Sequence, residues 1–183
     1  MRNFVMVILL LVGQACAAPL GWCSSSDEGW KAVGVRTGFT AKAKHDFFHQ
    51  YEVFTTYGLP WSLRGESGWG AALQVNASIG ALHAAGETGI IGSTGPGVVF
   101  DKSGKGVAFE LGGDINLLNK RNFGDSNLNG NPLYGGYLGV AYRFQNGPGV
   151  SYRFKHISNG GLGLHGDGNI GLDLHMFGMS WNF

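Results

Sequence analysis

Three side chains late in the chain have the types and spacing of a hydrolytic centre. His156 and Ser158 lie two residues apart in the segment Gly149–Ser158, and Asp173 follows in the segment 169–183. Both segments alternate at period two, which predicts β-strands. On the first, Val150, Tyr152, Phe154, His156 and Ser158 share a face. On the second, Asp173, His175, Phe177, Met179, Trp181 and Phe183 share a face. A hydroxyl, an imidazole and a carboxylate thus sit at the polar tip of two apolar faces. A serine hydroxyl is a weak nucleophile unless a base takes its proton, and that base needs an orienting acid. Strand neighbours at i and i+2 lie roughly 6.5–7 Å apart, close enough for Ser158 and His156 to meet. Asp173, past the connecting loop, is set to reach the other imidazole nitrogen. Asp167, in that loop, is the rival acid; Asp173 is favoured by its place on the strand and on the correct face.

Acyl chemistry also needs donors for a developing oxyanion. Asn159, Gly160 and Gly161 directly follow the serine, and glycine backbone turns freely enough to aim its N–H groups. The Asn169 amide is a second candidate. Each such donor is typically worth about 3–4 kcal/mol in the transition state. His175 reads as an interfacial residue. His45, His49, His83 and His165 are scattered without metal-ligand spacing, so no metal and no cofactor are expected.

The elements that must position these groups are strands. Thirty-three glycines oppose long helices, each costing roughly 1 kcal/mol relative to alanine. Eight alternating segments are predicted: 30–40, 48–57, 69–83, 88–100, 107–117, 134–144, 149–158 and 169–183. The second is expected to stop at Leu59-Pro60-Trp61. The fourth carries the weakest pattern, being interrupted by Gly92, Gly95, Pro96 and Gly97. One face of these strands is apolar and bulky. The other carries Arg36, Gln50, Glu52, Gln74, Asn76, Glu110, Asp114, Arg143, Arg153 and Lys155. A soluble barrel would enclose its apolar face. Charges of both signs opposite a greasy face, with an aromatic residue at position 183, favour the inverse: an all-β, eight-stranded antiparallel transmembrane barrel. Short turns at 101–106 and 145–149 follow even-numbered strands, and the long polar stretch 119–131 follows an odd one. That pattern puts both termini in the periplasm and His156, Ser158 and Asp173 at the external rim.

The N-terminus fits a signal peptide over residues 1–17, ahead of a barrel domain at 18–183. Arg2 precedes the apolar stretch Phe4–Val12, and Ala15-Cys16-Ala17 fits a cleavage site. The apolar stretch is too short for a helical span. Cleavage would remove Cys16 and leave Cys23 without a disulfide partner. A net charge of +1 gives no indication of nucleic acid binding.

The run His156-Ile157-Ser158-Asn159-Gly160-Gly161-Leu162, followed by Asn169-Ile170-Gly171-Leu172-Asp173 and an aromatic end, resembles the lipid A 3-O-deacylase family of outer-membrane barrels. The resemblance implies a hydrolase acting on the lipid A part of lipopolysaccharide in the outer leaflet. His156 would be its base, Ser158 its nucleophile and Asp173 its acid. Asn169 and the Gly161 backbone would form the oxyanion hole, and Asn159 would support the geometry. Two departures stand out: the acid is Asp where the family pattern has Glu, and the loop between the motif halves is longer. The assembly state is left open, a homodimer included. The alternative is a non-catalytic small outer-membrane barrel with a structural or adhesive role.

Overall fold

A computed structural model describes residues 28–42, 46–159 and 171–183. The predicted signal peptide and the positions Gly161, Asp167 and Asn169 lie outside the described residues. The order of elements is β1 (Gly29–Thr40), β2 (His49–Arg64), β3 (Trp69–Ala84), β4 (Glu87–Lys102), β5 (Lys105–Leu118), the short β6 (Asn122–Phe123) and β7 (Ser126–Asn127), then β8 (Leu133–Arg143), β9 (Pro148–Ser158) and β10 (Leu172–Asn182). The eight long strands close in the order β1-β10-β9-β8-β5-β4-β3-β2, every pair antiparallel, while β6 and β7 form a separate hairpin.

The two faces partition as the alternation predicts. Val35, Tyr51, Val53, Ile79, Leu111, Leu138 and Met179 are exposed on the outer wall, whereas Arg36, Gln50, Glu52, Gln74, Asn76, Arg153 and Lys155 are buried in the lumen. Such an outer band suits lipid, and a closed barrel leaves no unpaired edge inside a bilayer.

The lumen is filled by ion pairs. Arg36 pairs with Glu52, which also accepts from Gln50 Nε2 at 2.7 Å and Ser78 Oγ at 3.0 Å. Arg153 Nε donates to Glu110 at 2.8 Å, and its guanidinium lies 4.4 Å from the Tyr137 ring centroid. Lys155 Nζ lies 2.8 Å from Asp114 and 3.0 Å from Asn116 Oδ1. Removing one member of a buried pair strands its partner, at a cost of about 3–5 kcal/mol. Arg153→Met is therefore expected to lower barrel stability by about that amount, read as a shifted urea unfolding midpoint with an unchanged slope.

Two elements differ from the sequence expectation. Strand β2 does not stop at Pro60. Its pairing jumps from Gly58↔Gln74 to Ser62↔Ala72 and then continues to Arg64. The surplus residues form a bulge there, where the missing Pro60 N–H breaks no ladder bond. Strand β4 is as long as its neighbours despite its glycines. Gly97 points into the lumen, where a Cβ would come within 2.5 Å of the Tyr137 hydroxyl. Its glycine is a packing requirement rather than a break.

The outer mouth is sealed. The hairpin β6–β7 folds inward, burying Phe123 and Leu128 against Phe48, Leu82, Ile91, Leu133, Ile157, Leu172, Leu174 and Met176. Phe48 and Phe123 meet edge-on, with centroids 5.5 Å apart. The opposite end is lined by small buried residues, Ala72, Val99, Ala108 and Ala141.

Candidate active site

Strands β9 and β10 bring two of the candidate residues, His156 and Asp173, together by register. His156 pairs directly with Asp173, and Leu172 pairs with Ile157, which sets Gly171 across from Ser158. The His156 Nδ1 lies 2.6 Å from Asp173 Oδ1. With that nitrogen protonated it donates to the carboxylate, and Nε2 is left as the acceptor. The Cε1–Nε2 edge of the ring lies over Gly171: a Cβ there would fall 2.7 Å from Cε1 and 3.4 Å from Nε2. The imidazole's accepting edge is thus turned toward the residue facing Ser158. Both side chains lie on the outer wall, His156 50% and Asp173 33% exposed. Ser158 is half-buried at the end of β9.

Neighbouring elements hold this pair. The backbone N–H of Ala41 donates to the Asp173 carbonyl at 2.8 Å, tying the start of β10 to the end of β1. Asn159 Nδ2 donates to the Asn129 carbonyl at 3.3 Å, fastening the end of β9 to the loop before β8. One step below Asp173, His175 Nδ1 lies 2.8 Å from the Tyr152 hydroxyl. His175 therefore reaches the outer wall with a partner, as a polar group beside lipid requires. Phe39 packs on it with ring centroids 5.6 Å apart. Among the described residues no cluster of His, Cys, Asp or Glu could hold a metal ion.

A feature invisible along any single strand lies beside His156. Across β8 and β5, His156 pairs with Gly136 and Gly136 with Gly113. Both glycines are on the outer wall. A Cβ at Gly136 would meet nothing closer than a carbonyl oxygen at 4.0 Å, and one at Gly113 nothing closer than 3.4 Å. The flanking rows are bulky: Ile115 and Tyr134 on the side of Ser158, Leu111 and Leu138 on the other. The result is a trench, floored by bare backbone, that opens onto His156. The register between Thr94↔Ile115 and Gly97↔Gly112 continues the row to Pro96, then Val75, Tyr57 and finally Trp30. On β1, Trp30 is at the far end from Ala41, which borders Asp173. The trench therefore slopes from the rim toward the middle of the barrel wall.

No curated protein sequence matches the chain at a significant level. A solved structure described as "Crystal structure of the outer membrane enzyme PagL" superposes with a TM-score of 0.69 at 20% identity, covering 83% of this chain and 99% of the other. That likeness establishes the shared eight-stranded barrel. The sequence itself matches the family described as Lipid A 3-O-deacylase (PagL) over residues 49–182, most of the chain and every strand but β1. The chain belongs to the lipid A 3-O-deacylase (PagL) family of outer-membrane ester hydrolases.

Proposed function

We propose that the family's reaction, hydrolysis of the 3-O-linked acyl ester of lipid A, is performed here by Ser158, His156 and Asp173. The observation that carries this reading is the His156–Asp173 pair on the outside of the barrel wall, near the ends of β9 and β10. His156 Nε2 takes the Ser158 proton as Oγ attacks the ester carbonyl. Asp173 holds the ring by Nδ1–H and stabilises the imidazolium. The tetrahedral oxyanion rests on the Asn169 amide and the Gly161 N–H, with Asn159 anchoring the strand end. Collapse breaks the bond to the sugar oxygen, which takes its proton from His156. Water then attacks the acyl-serine as Nε2 takes its proton; collapse breaks the bond to Ser158 Oγ, which recovers that proton from Nε2, and the hydroxy fatty acid is freed. During this cycle the acyl chain lies in the trench over Gly136 and Gly113, where an unbranched chain replaces the missing side chains.

Mass spectrometry of lipid A from cells carrying the gene tests this. Loss of one 3-hydroxyacyl unit is expected, and an unchanged lipid A profile would favour the non-catalytic reading. The acid is tested by comparing Asp173→Asn with Asp167→Asn. The first should lower kcat by up to about 10⁴-fold, because the amide fails to hold the imidazole in the working tautomer, and the second should leave it near wild type.

Gly171 has a separate role that the same assay resolves. A methyl group at this position must displace the His156 ring. Gly171→Ala is expected to lower kcat by roughly 10²-fold, the usual cost of a catalytic group displaced by about 1 Å, with KM and unfolding midpoint little changed.

A further inference from the structure

The end of the barrel remote from the rim holds a cavity of about 270 Å³ that the reaction does not use. It exists because Ala72 and Val99 are small where the opposite end is packed with Leu, Ile and Phe. Residues of the β4–β5 turn line it, so it opens toward the periplasm.

Its walls are cationic. Arg64 Nη1 lies 2.8 Å and Arg143 Nη1 2.5 Å from the two oxygens of Asp101. Two guanidinium groups sharing one carboxylate leave the trio net positive. Arg143 also approaches Glu110 at 3.9 Å, but Arg153 holds that carboxylate more closely, at 2.7 Å. Lys105, exposed at the turn, adds a further positive charge. With Arg64, Arg143 and Lys105 outnumbering the Asp101 carboxylate, the cleft is net positive, and a low-dielectric cleft focuses such a field on a small counter-ion.

A second observation is independent of charge. Gln74 is 2% exposed and lines this cavity, and its Nε2 is a buried donor with no hydrogen-bond partner. Buried donors without partners are rare in folded proteins and call for an acceptor. A cation would not satisfy it. An oxyanion would.

We infer that this vestibule is a binding site for a phosphate-type oxyanion entering from the periplasm, held by Arg143, Lys105 and the Gln74 amide. The guanidinium fork matches such an ion in shape as well as charge. The site lies at the opposite end of the barrel from Ser158, so its occupancy is separable from ester hydrolysis.

Titration calorimetry of the detergent-solubilised full chain with inorganic phosphate, at constant ionic strength, tests the inference. Saturable binding to one site is expected. Lys105→Ala and Gln74→Leu should each weaken it at least ~10-fold, while lipid A hydrolysis by Lys105→Ala stays at the wild-type level. Lys105 is exposed, so its variant keeps the test decisive if Gln74→Leu does not fold. Absence of saturable heat from the wild type would mean that the cavity holds water alone and would overturn the site. Unchanged affinity in Lys105→Ala, or equally tight binding of acetate, would overturn the assignment of its ligand.

Discussion

Ser158→Ala is expected to abolish release of the acyl chain, with kcat at least ~10⁴-fold below wild type. The hydroxyl is the only group that forms a bond to the substrate in the proposed cycle. His156 and Asp173 act through it, so losses at these positions should not add. His156→Ala alone and the double variant Ser158→Ala/His156→Ala should both fall to about the same residual rate as Ser158→Ala. The barrel itself should be untouched, because Ser158 ends β9 on the outer wall, away from the luminal pairs Arg36–Glu52, Arg153–Glu110 and Lys155–Asp114. The measurement is lipid A mass spectrometry in cells, paired with unfolding of the purified variant. Full deacylation by a correctly folded Ser158→Ala would refute the nucleophile.

Filling the trench should give the second large effect. Gly136→Leu puts a side chain on the lipid-facing wall, where leucine is welcome and the Cβ meets nothing within 3.4 Å. Strand stability should stay level or rise by roughly 0.5–1 kcal/mol, because a strand glycine is replaced. The kcat/KM for lipid A should nevertheless drop about 10²-fold, since a reacting ester moved by an ångström loses that much. A short-chain ester that never enters the trench should be hydrolysed as by the wild type. That contrast separates loss of the acyl seat from damage to His156, the neighbour of Gly136 in the register. Equal losses on both esters would remove the trench from the mechanism.

Period-two alternation makes the wall legible in the sequence, because each strand has one face in lipid and one in a packed polar lumen. It places Arg36, Glu52 and Arg153 inside, Val35 and Leu138 outside, and the His156 and Asp173 positions on one face. What alternation does not carry is the relation between strands. Gly113 and Gly136 look like weak points in their own segments. Only the β5–β8–β9 register sets them in line with His156. The same holds for Tyr152 and His175, whose hydrogen bond crosses from β9 to β10. The β6–β7 hairpin was hidden for another reason. Phe123 and Leu128 are isolated apolar residues in a polar stretch, and nothing periodic announces that they turn inward to seal the mouth. Pro60 and the β4 glycines misled in the opposite direction. Their local preference for turns is overridden by a bulge in one case and by luminal crowding in the other.

In the proposed cycle, the half-exposed imidazole at the rim serves two phases. Its acyl donor arrives sideways through the hydrocarbon, whereas the water that completes the cycle arrives only from the aqueous side, since the lumen is closed beneath it. The two half-reactions thus draw on different reservoirs. Deeper burial would favour acyl-serine formation and starve its hydrolysis; greater exposure would do the reverse. A position two residues from the end of β9, half-exposed at the rim, reconciles the two demands.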